Sequence, residues 1–120
     1  MKRGFENLVA WQEAKALAVS TYRACRRPPL DKEWGLRDQM QRAAISISSN
    51  IAEGFERGSL RDELRFLAMA SASELRSQVL VVGELEMVDN EQCKSLAHHC
   101  HRVGALIFKL MTHKQSIAGG

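Results

Sequence analysis

The sequence predicts an all-α fold, an antiparallel up-down-up-down four-helix bundle, and three observations carry that reading. Apolar residues recur at steps of three and four along four separate stretches, the period of a helix with one buried side. Strand signals are nearly absent: there is no Asn-Gly hairpin and little alternation of β-branched residues. The only two prolines stand together at Pro28-Pro29, so the rest of the chain is free of helix breakers and its helices are joined by short connections. With 120 residues the chain reads as one domain, 1–120, able to bury roughly two thirds of its surface in a single core. No repeat, low-complexity tract or second domain is visible.

The first helix is predicted over about 5–27. Leu8, Trp11 or Gln12, Ala14, Ala18, Tyr22 and Cys25 carry its buried side, and Arg23, Arg26 and Arg27 make its last turn basic, as the helix dipole prefers. Pro28-Pro29 ends it. The second helix is predicted over about 31–57, with Asp31 as its N-cap and Leu36, Met40, Ala43, Ala44, Ile47 and Ile51 as its apolar stripe. A second, polar stripe of Arg42, Ser46, Asn50, Glu53 and Arg57 runs beside it, with Ser49 at its edge. Serine and asparagine are mediocre helix formers, so their place in mid-helix points to a polar contact with another helix or another subunit. The helix is expected to loosen at Gly54 or stop near Gly58, with Ser59 capping the next one.

The third helix is predicted as one piece over about 60–87. Leu60, Leu64, Leu67, Ser71, Leu75, Gln78, Val82 and Leu85 form a coiled-coil-like seam, widened by Phe66, Ala70, Ser73, Leu80 and Val81, so this helix meets neighbours on more than one side. Asp89-Asn90 reads as a turn and cap. The fourth helix follows over about 91–113, with Leu96, Cys100, Val103, Ile107 and Leu110 at heptad spacing, and 116–120 reads as frayed.

There is no apolar run of membrane length, and Met-Lys-Arg-Gly-Phe-Glu at the start carries no hydrophobic signal region. Cys25, Cys93 and Cys100 are odd in number and scattered, which fits reduced thiols in a cytoplasm. His98-His99-x-His101 with Cys93 and Cys100 is the one metal-like cluster, but it lacks a Cys-x-x-Cys or His-x-x-x-His pair, and Cys100 sits in the apolar seam. A buried thiol beside surface histidines is the reading its spacing favours, so no metal and no cofactor are expected. Ser46 and Glu53 share a helix face, yet no histidine lies on that helix and no oxyanion-type glycine loop precedes it. Gly54 and Gly58 lack the Gly-Lys-Ser/Thr of a phosphate loop. Enzymatic chemistry is not expected.

Phe5-x-x-Leu8, Trp11-Gln12-x-Ala14 and Tyr22 resemble the first helix of the four-helix bundle proteins encoded in 23S ribosomal RNA intervening sequences. Gln39-x-x-Arg42-Ala43-Ala44-Ile45-Ser46-Ile47 with Ser49-Asn50-Ile51-Ala52-Glu53-Gly54-Phe55 carries the strongest part of the resemblance, and Phe66-Leu67, Ser73-Glu74-Leu75 and Gln78 resemble its third helix. Beyond Leu85 the likeness is helical periodicity only. Where many relatives have Ser-Ile-Pro this chain has Ser46-Ile47-Ser48, which predicts a straighter second helix. The resemblance implies a four-helix bundle assembled as a homopentamer. It extends to the accessory variability determinant of diversity-generating retroelements, which implies RNA or DNA as a partner and a partner enzyme such as a reverse transcriptase. It implies no firm biochemical activity for the intervening-sequence branch itself.

Charge adds to this. Residues 1–30 carry six Lys/Arg against two acids and residues 91–120 four against one, while 31–60 carry four against five and 61–90 three against six. The first and last helices are therefore the basic ones. If they are neighbours their charges merge, and repetition around a ring turns a modest excess into a field that holds phosphate backbones. The candidate contacts are Lys15, Arg23, Arg26 and Arg27 from the first helix with Arg102, Lys109 and Lys114 from the last. No aromatic base-stacking platform is evident, so binding is expected to follow charge and shape. The competing expectation is a protein-binding scaffold for a partner enzyme with no nucleic-acid contact.

Overall fold

Small side chains decide how closely the first two helices approach. In the computed structural model, which describes residues 4–119, α1 (Val9–Cys25) and α2 (Trp34–Glu56) pack against each other, and both bury small residues, Ala10, Ala14 and Ala18 on α1 and Ala43 and Ala44 on α2. Then follow α3 (Leu60–Met69), α4 (Ser73–Glu84) and α5 (Asn90–Gly119), with single 3-10 turns at Phe5–Asn7 and Leu30–Lys32. Among the described residues there is no strand. α3 and α4 together form the third limb, so the architecture is a four-helix bundle.

One core runs its length. Leu17, Met40, Ile47, Ile51, Leu67, Leu75, Val79, Val82 and Val103 are all at most 2 % exposed, and each such aliphatic side chain contributes about 1.5–3 kcal/mol relative to exposure. The apolar stripe of α2 and the seam of α5 fall as the spacing predicts, with Leu36 and Leu110 half-buried at their ends. The buried side of α1 is rotated from the expected one. It consists of Ala10, Ala14, Leu17, Ala18, Thr21, Ala24 and Cys25, while Leu8, Trp11 and Tyr22 are half-buried and Gln12 is exposed. Thr21 is tolerated there because its hydroxyl donates to the Leu17 carbonyl at 2.8 Å.

The third limb departs from the expected single helix over 60–87. It breaks at Ala70-Ser71-Ala72 because a continuous seam would carry the Ser71 hydroxyl into the core. The break instead leaves Ser71 exposed, with its Oγ accepting the Ser73 N–H at 3.3 Å, and buries Ala70 and Ala72 in its place. Ala72 then sits against α5 where Gly104 carries no side chain. Leu60 and Leu85, expected in the seam, are exposed.

The other boundaries also move. α1 begins at Val9 rather than Phe5, since Leu8 is extended and caps the preceding 3-10 turn. It ends at Cys25, so Arg26 and Arg27 stand beyond it. α2 begins at Trp34 rather than 31: Asp31 belongs to the 3-10 turn, where its backbone carbonyl accepts Arg37 Nη1 at 2.8 Å, and makes no side-chain cap. α2 stays unbroken through Ser48 and ends at Glu56, followed by Gly58 at φ +81°, a left-handed position suited to glycine. Ser59 caps α3 by accepting the Asp62 N–H at 3.2 Å, and Asp89 accepts the Gln92 N–H at 2.7 Å at the start of α5. α5 runs on to Gly119, past the expected stop at His113, because Lys114 and Ile117 reach the α2–α3 turn.

Candidate nucleic-acid interface

The basic helices at the two ends of the sequence are neighbours. Leu8, Val9 and Ala10 of α1 line a hollow of about 330 Å³ with Leu106, Lys109, Leu110 and His113 of α5. Further along the same seam, Glu13 Oε1 of α1 lies 3.1 Å from His99 Nε2 and 3.2 Å from Arg102 Nε. A carboxylate therefore stands where the two basic helices meet, and it neutralises part of the charge expected there.

The seven candidate contacts fall into separate groups rather than one face. Lys15 lies over the Trp11 ring at 5.2 Å. Arg23 and Arg26 border an α1–α2 hollow with Val19, Tyr22 and Ile45, on a different side from the α1–α5 seam. Arg27 borders a hollow of about 520 Å³ between the two end connections, shared with Glu86 and Asp89. Arg102 is held by Glu13, and Lys109 edges the α1–α5 hollow. Lys114 is spoken for: its Nζ is 3.0 Å from Glu63 Oε2, and the two side chains are only 29 % and 15 % exposed. The molecule is 49 Å long, so Arg27 and Lys114 stand near opposite ends.

The polar stripe of α2 satisfies itself along its own helix. Ser46 Oγ donates to the Ala43 carbonyl at 3.0 Å and Asn50 Nδ2 to the Ser46 carbonyl at 2.9 Å. Arg42 pairs with Asp38 at 3.3 Å and Arg57 with Glu53 at 2.9 Å. Ser46 and Asn50 are half-buried, while Arg42, Glu53 and Arg57 are exposed, and these bonds all stay on α2 and its C-cap, so the stripe makes no hydrogen bond or ion pair to another helix among the described residues. Arg57 also covers the Phe66 ring of α3 at 4.8 Å, with Arg65 at 5.0 Å. Ser46 and Glu53 share no hydrogen bond, and Glu53 is occupied by Arg57.

The histidine–cysteine cluster is dispersed by the turns of α5. His98 and His101 face solvent, His99 faces Glu13, and Cys100 is buried. Cys93 Sγ points to the Val79 carbonyl at 3.6 Å. Among the described residues no three His, Cys, Asp or Glu side chains come together as a metal site. Burial pushes the thiols of Cys25 and Cys100 up to about 11, opposed in part by Arg37 and by Arg76 respectively.

The sequence reading passed over two features. From Gln92 to Ile117 the chain has no Asp or Glu, while Lys94, Arg102, Lys109, Lys114 and all four histidines lie on that stretch. Phe108 on this helix is 71 % exposed. The signal was present: Phe108 lies outside the apolar seam and one heptad from His101.

Among the described residues no helix is long and apolar enough to cross a membrane. The family model described as 23S rRNA-intervening sequence protein matches residues 6–109. The match continues past Leu85, where the motif likeness stops. No curated protein matches the chain.

Proposed function

Because this chain belongs to the 23S rRNA-intervening sequence protein family, we propose that it is a non-enzymatic, cytoplasmic, oligomeric four-helix bundle that binds nucleic acid by charge and shape. The observation that carries this reading is α5, the longest helix, which carries Lys94, Arg102, Lys109 and Lys114 and, after Glu91 in its first turn, no Asp or Glu from Gln92 to Ile117. Among the described residues the ion pairs that reach them come from Glu13 of α1 and Glu63 of α3. Arg23, Arg26 and Arg27 add a second cluster where α1 ends. A ring multiplies both, and the field of several copies attracts phosphates more strongly than the net charge of +3 on one chain.

Two exposed apolar patches on different sides of the bundle support assembly. Leu80, Val81 and Leu85 lie open on α4, and Val19 and Ile45 on the α1–α2 side beside Arg23 and Arg26. Patches that differ from each other suit head-to-tail contact, which closes into rings, and the proposed ring is the homopentamer. Native mass spectrometry tests this: a monomer at micromolar concentration overturns the ring.

The binding test is fluorescence anisotropy with mixed-sequence single- and double-stranded RNA and DNA at several salt concentrations. Each phosphate contact adds about 0.7–0.9 to the salt slope of log affinity, so a ring gives a steep dependence. Reversing the charge of Arg23, Arg26 and Arg27 weakens binding alike for all sequences, and native mass spectrometry of the same variant separates this from lost assembly, since Arg23 and Arg26 border the Val19–Ile45 patch. The second reading, a scaffold for a partner enzyme such as a reverse transcriptase, is favoured by the same open α4 face. Absence of nucleic-acid binding at low salt leaves that scaffold as the function.

A further inference from the structure

Exposed apolar residues gather at two places on the bundle, and the charges beside them are opposite in sign. On α4, Ser73, Arg76, Ser77, Leu80, Val81 and Glu84 follow one another at steps of one, three and four around a shallow hollow, and all six are exposed. Glu74 flanks the same face, three residues before Ser77 and seven before Val81. Arg76 lies towards α5, within electrostatic reach of Cys100, so the outward charge beside Leu80 and Val81 is that of carboxylates. On the α1–α2 side, Ala18, Val19, Tyr22 and Ile45 line a hollow of about 380 Å³ with Arg23 and Arg26. Val19, Ile45, Leu80 and Val81 are all between 43 % and 47 % exposed, far from the burial of the core. Among the described residues, none of Arg23, Arg26, Glu74 and Glu84 takes part in an ion pair.

A second copy of the chain covers both places at once. α1 and α4 run towards the same end of the bundle, where Arg27 and Gly83 line one hollow. Rotation about an axis along the bundle keeps that direction, so α4 of one copy meets α1 of the next in parallel. Glu84 stands four residues past Leu80, and Arg23 four past Val19. The register that joins the apolar residues therefore also joins the opposite charges. Pairing α4 with α4 about a two-fold axis would cover Leu80 and Val81 but leave Val19 and Ile45 in water. A nucleic acid is no occupant for the α4 face, because Glu74 and Glu84 repel its phosphates.

We propose that the outward face of α4 docks into the α1–α2 hollow of a second copy of this chain, with Leu80 and Val81 against Val19 and Ile45 and Glu84 beside Arg23 and Arg26. Each copy carries one face of each kind, so the contact repeats until a ring closes. This rests on the assembly reading given above and names the two surfaces that meet. It takes Arg23 and Arg26 away from phosphates and leaves them Arg27, exposed past the end of α1, and the cations of α5.

The test is native mass spectrometry over a range of concentrations on wild type, Glu84→Arg, Arg23→Glu/Arg26→Glu, and the chain that carries all three changes. Each of the first two variants is expected to raise the concentration at which the assembly dissociates by about ten-fold or more, since like charges then face each other. The triple variant returns to within about three-fold of wild type, because its charges are exchanged rather than lost. All three side chains are exposed, so every variant keeps wild-type helix content, which circular dichroism verifies. If wild type is a monomer, the assembly reading and this contact fall together. If wild type assembles and Arg23→Glu/Arg26→Glu assembles equally well, the contact is wrong while assembly stands. A triple variant no better than the other two shows that the two faces do not meet, and the proposal falls.

Discussion

Glu63 of α3 and Lys114 of α5 form an ion pair of 3.0 Å that ties the far end of the longest helix to the start of the third limb. Both side chains are more than two-thirds buried, so the pair is better shielded than a surface salt bridge, and removing one partner leaves the other poorly solvated. Lys114→Ala is expected to lower stability by about 1–2 kcal/mol, an estimate between exposed and fully buried pairs. It is expected to leave nucleic-acid affinity unchanged, because this ammonium is already engaged. Urea unfolding and an anisotropy titration of the same variant check both halves.

Gly83 of α4 sits directly on Cys93 of α5, and a Cβ at position 83 would collide with the Cys93 sulfur. Helix propensity alone favours alanine over glycine by about 1 kcal/mol, so the two effects oppose each other. The collision wins, since the Cys93 side chain is too short to swing clear and its own Cβ is also within 3.2 Å of the added one: Gly83→Ala is expected to destabilise by about 1–3 kcal/mol. Adding Cys93→Ala removes the sulfur and restores most of the loss. A double-mutant cycle in urea decides it, and additive losses would disprove the contact.

Glu86 ends α4 in a left-handed conformation at φ +59°. Its N–H bonds the Gly83 carbonyl at 3.0 Å and the Met87 N–H the Val82 carbonyl at 2.9 Å, the paired bonds of a Schellman turn. Such a position suits glycine, and a side chain there is strained. Glu86→Gly is expected to stabilise by about 0.5–1 kcal/mol, raising the melting temperature by about 2–5 °C. Glu86→Ala keeps the strain and gives no such rise.

The thiols give a pH dependence with a definite sign. Burial raises Cys25 and Cys100 from 9.0 to about 11, so the folded state holds these protons more tightly than the unfolded chain. Their contribution to stability is complete below about pH 9 and is lost as pH rises through about 11. Wild type is therefore expected to lose stability between those values more steeply than Cys25→Ala/Cys100→Ala, measured by urea unfolding across that range. In native protein at neutral pH both thiols resist iodoacetamide, and all three cysteines react after denaturation.

The elements legible in the sequence were those whose apolar period is uninterrupted. Met40 to Ile51 and Leu96 to Ile107 fix α2 and α5 because one helical register buries every member of the series. The third limb was less legible because Ser71 fits the seam by spacing but not by polarity, and the chain bends to keep its hydroxyl wet. The basic candidates were legible as residue types but not as a surface. Which of them are free depends on Glu13 and Glu63, whose partners lie across the bundle and share no local spacing with them. Phe108 was less legible for the opposite reason: a lone aromatic outside the seam forms no pattern, and only its exposure shows that it lies off the core.

The polar stripe of α2 supplies the sharpest test of assembly. In the single chain Asn50 bonds only the Ser46 carbonyl one turn back, a bond that competes with the helix rather than reinforcing it. Alanine is the better helix former by about 0.5 kcal/mol, so for an isolated bundle Asn50→Ala is neutral or slightly stabilising. Glu53→Ala loses only the exposed Arg57 pair, worth about 0–1 kcal/mol. In a ring that covers this stripe, Asn50 and Glu53 gain partners on the adjoining copy, and truncating either leaves a buried polar group unsatisfied at about 1–3 kcal/mol per site. The expected outcome under the oligomer reading is that both variants melt earlier than wild type and dissociate at higher protein concentration. Melting curves at several concentrations, paired with native mass spectrometry, separate the cases. If both variants melt and assemble as wild type does, the stripe faces water and the subunits meet elsewhere, with the open α4 face at Leu80 and Val81 the next place to substitute.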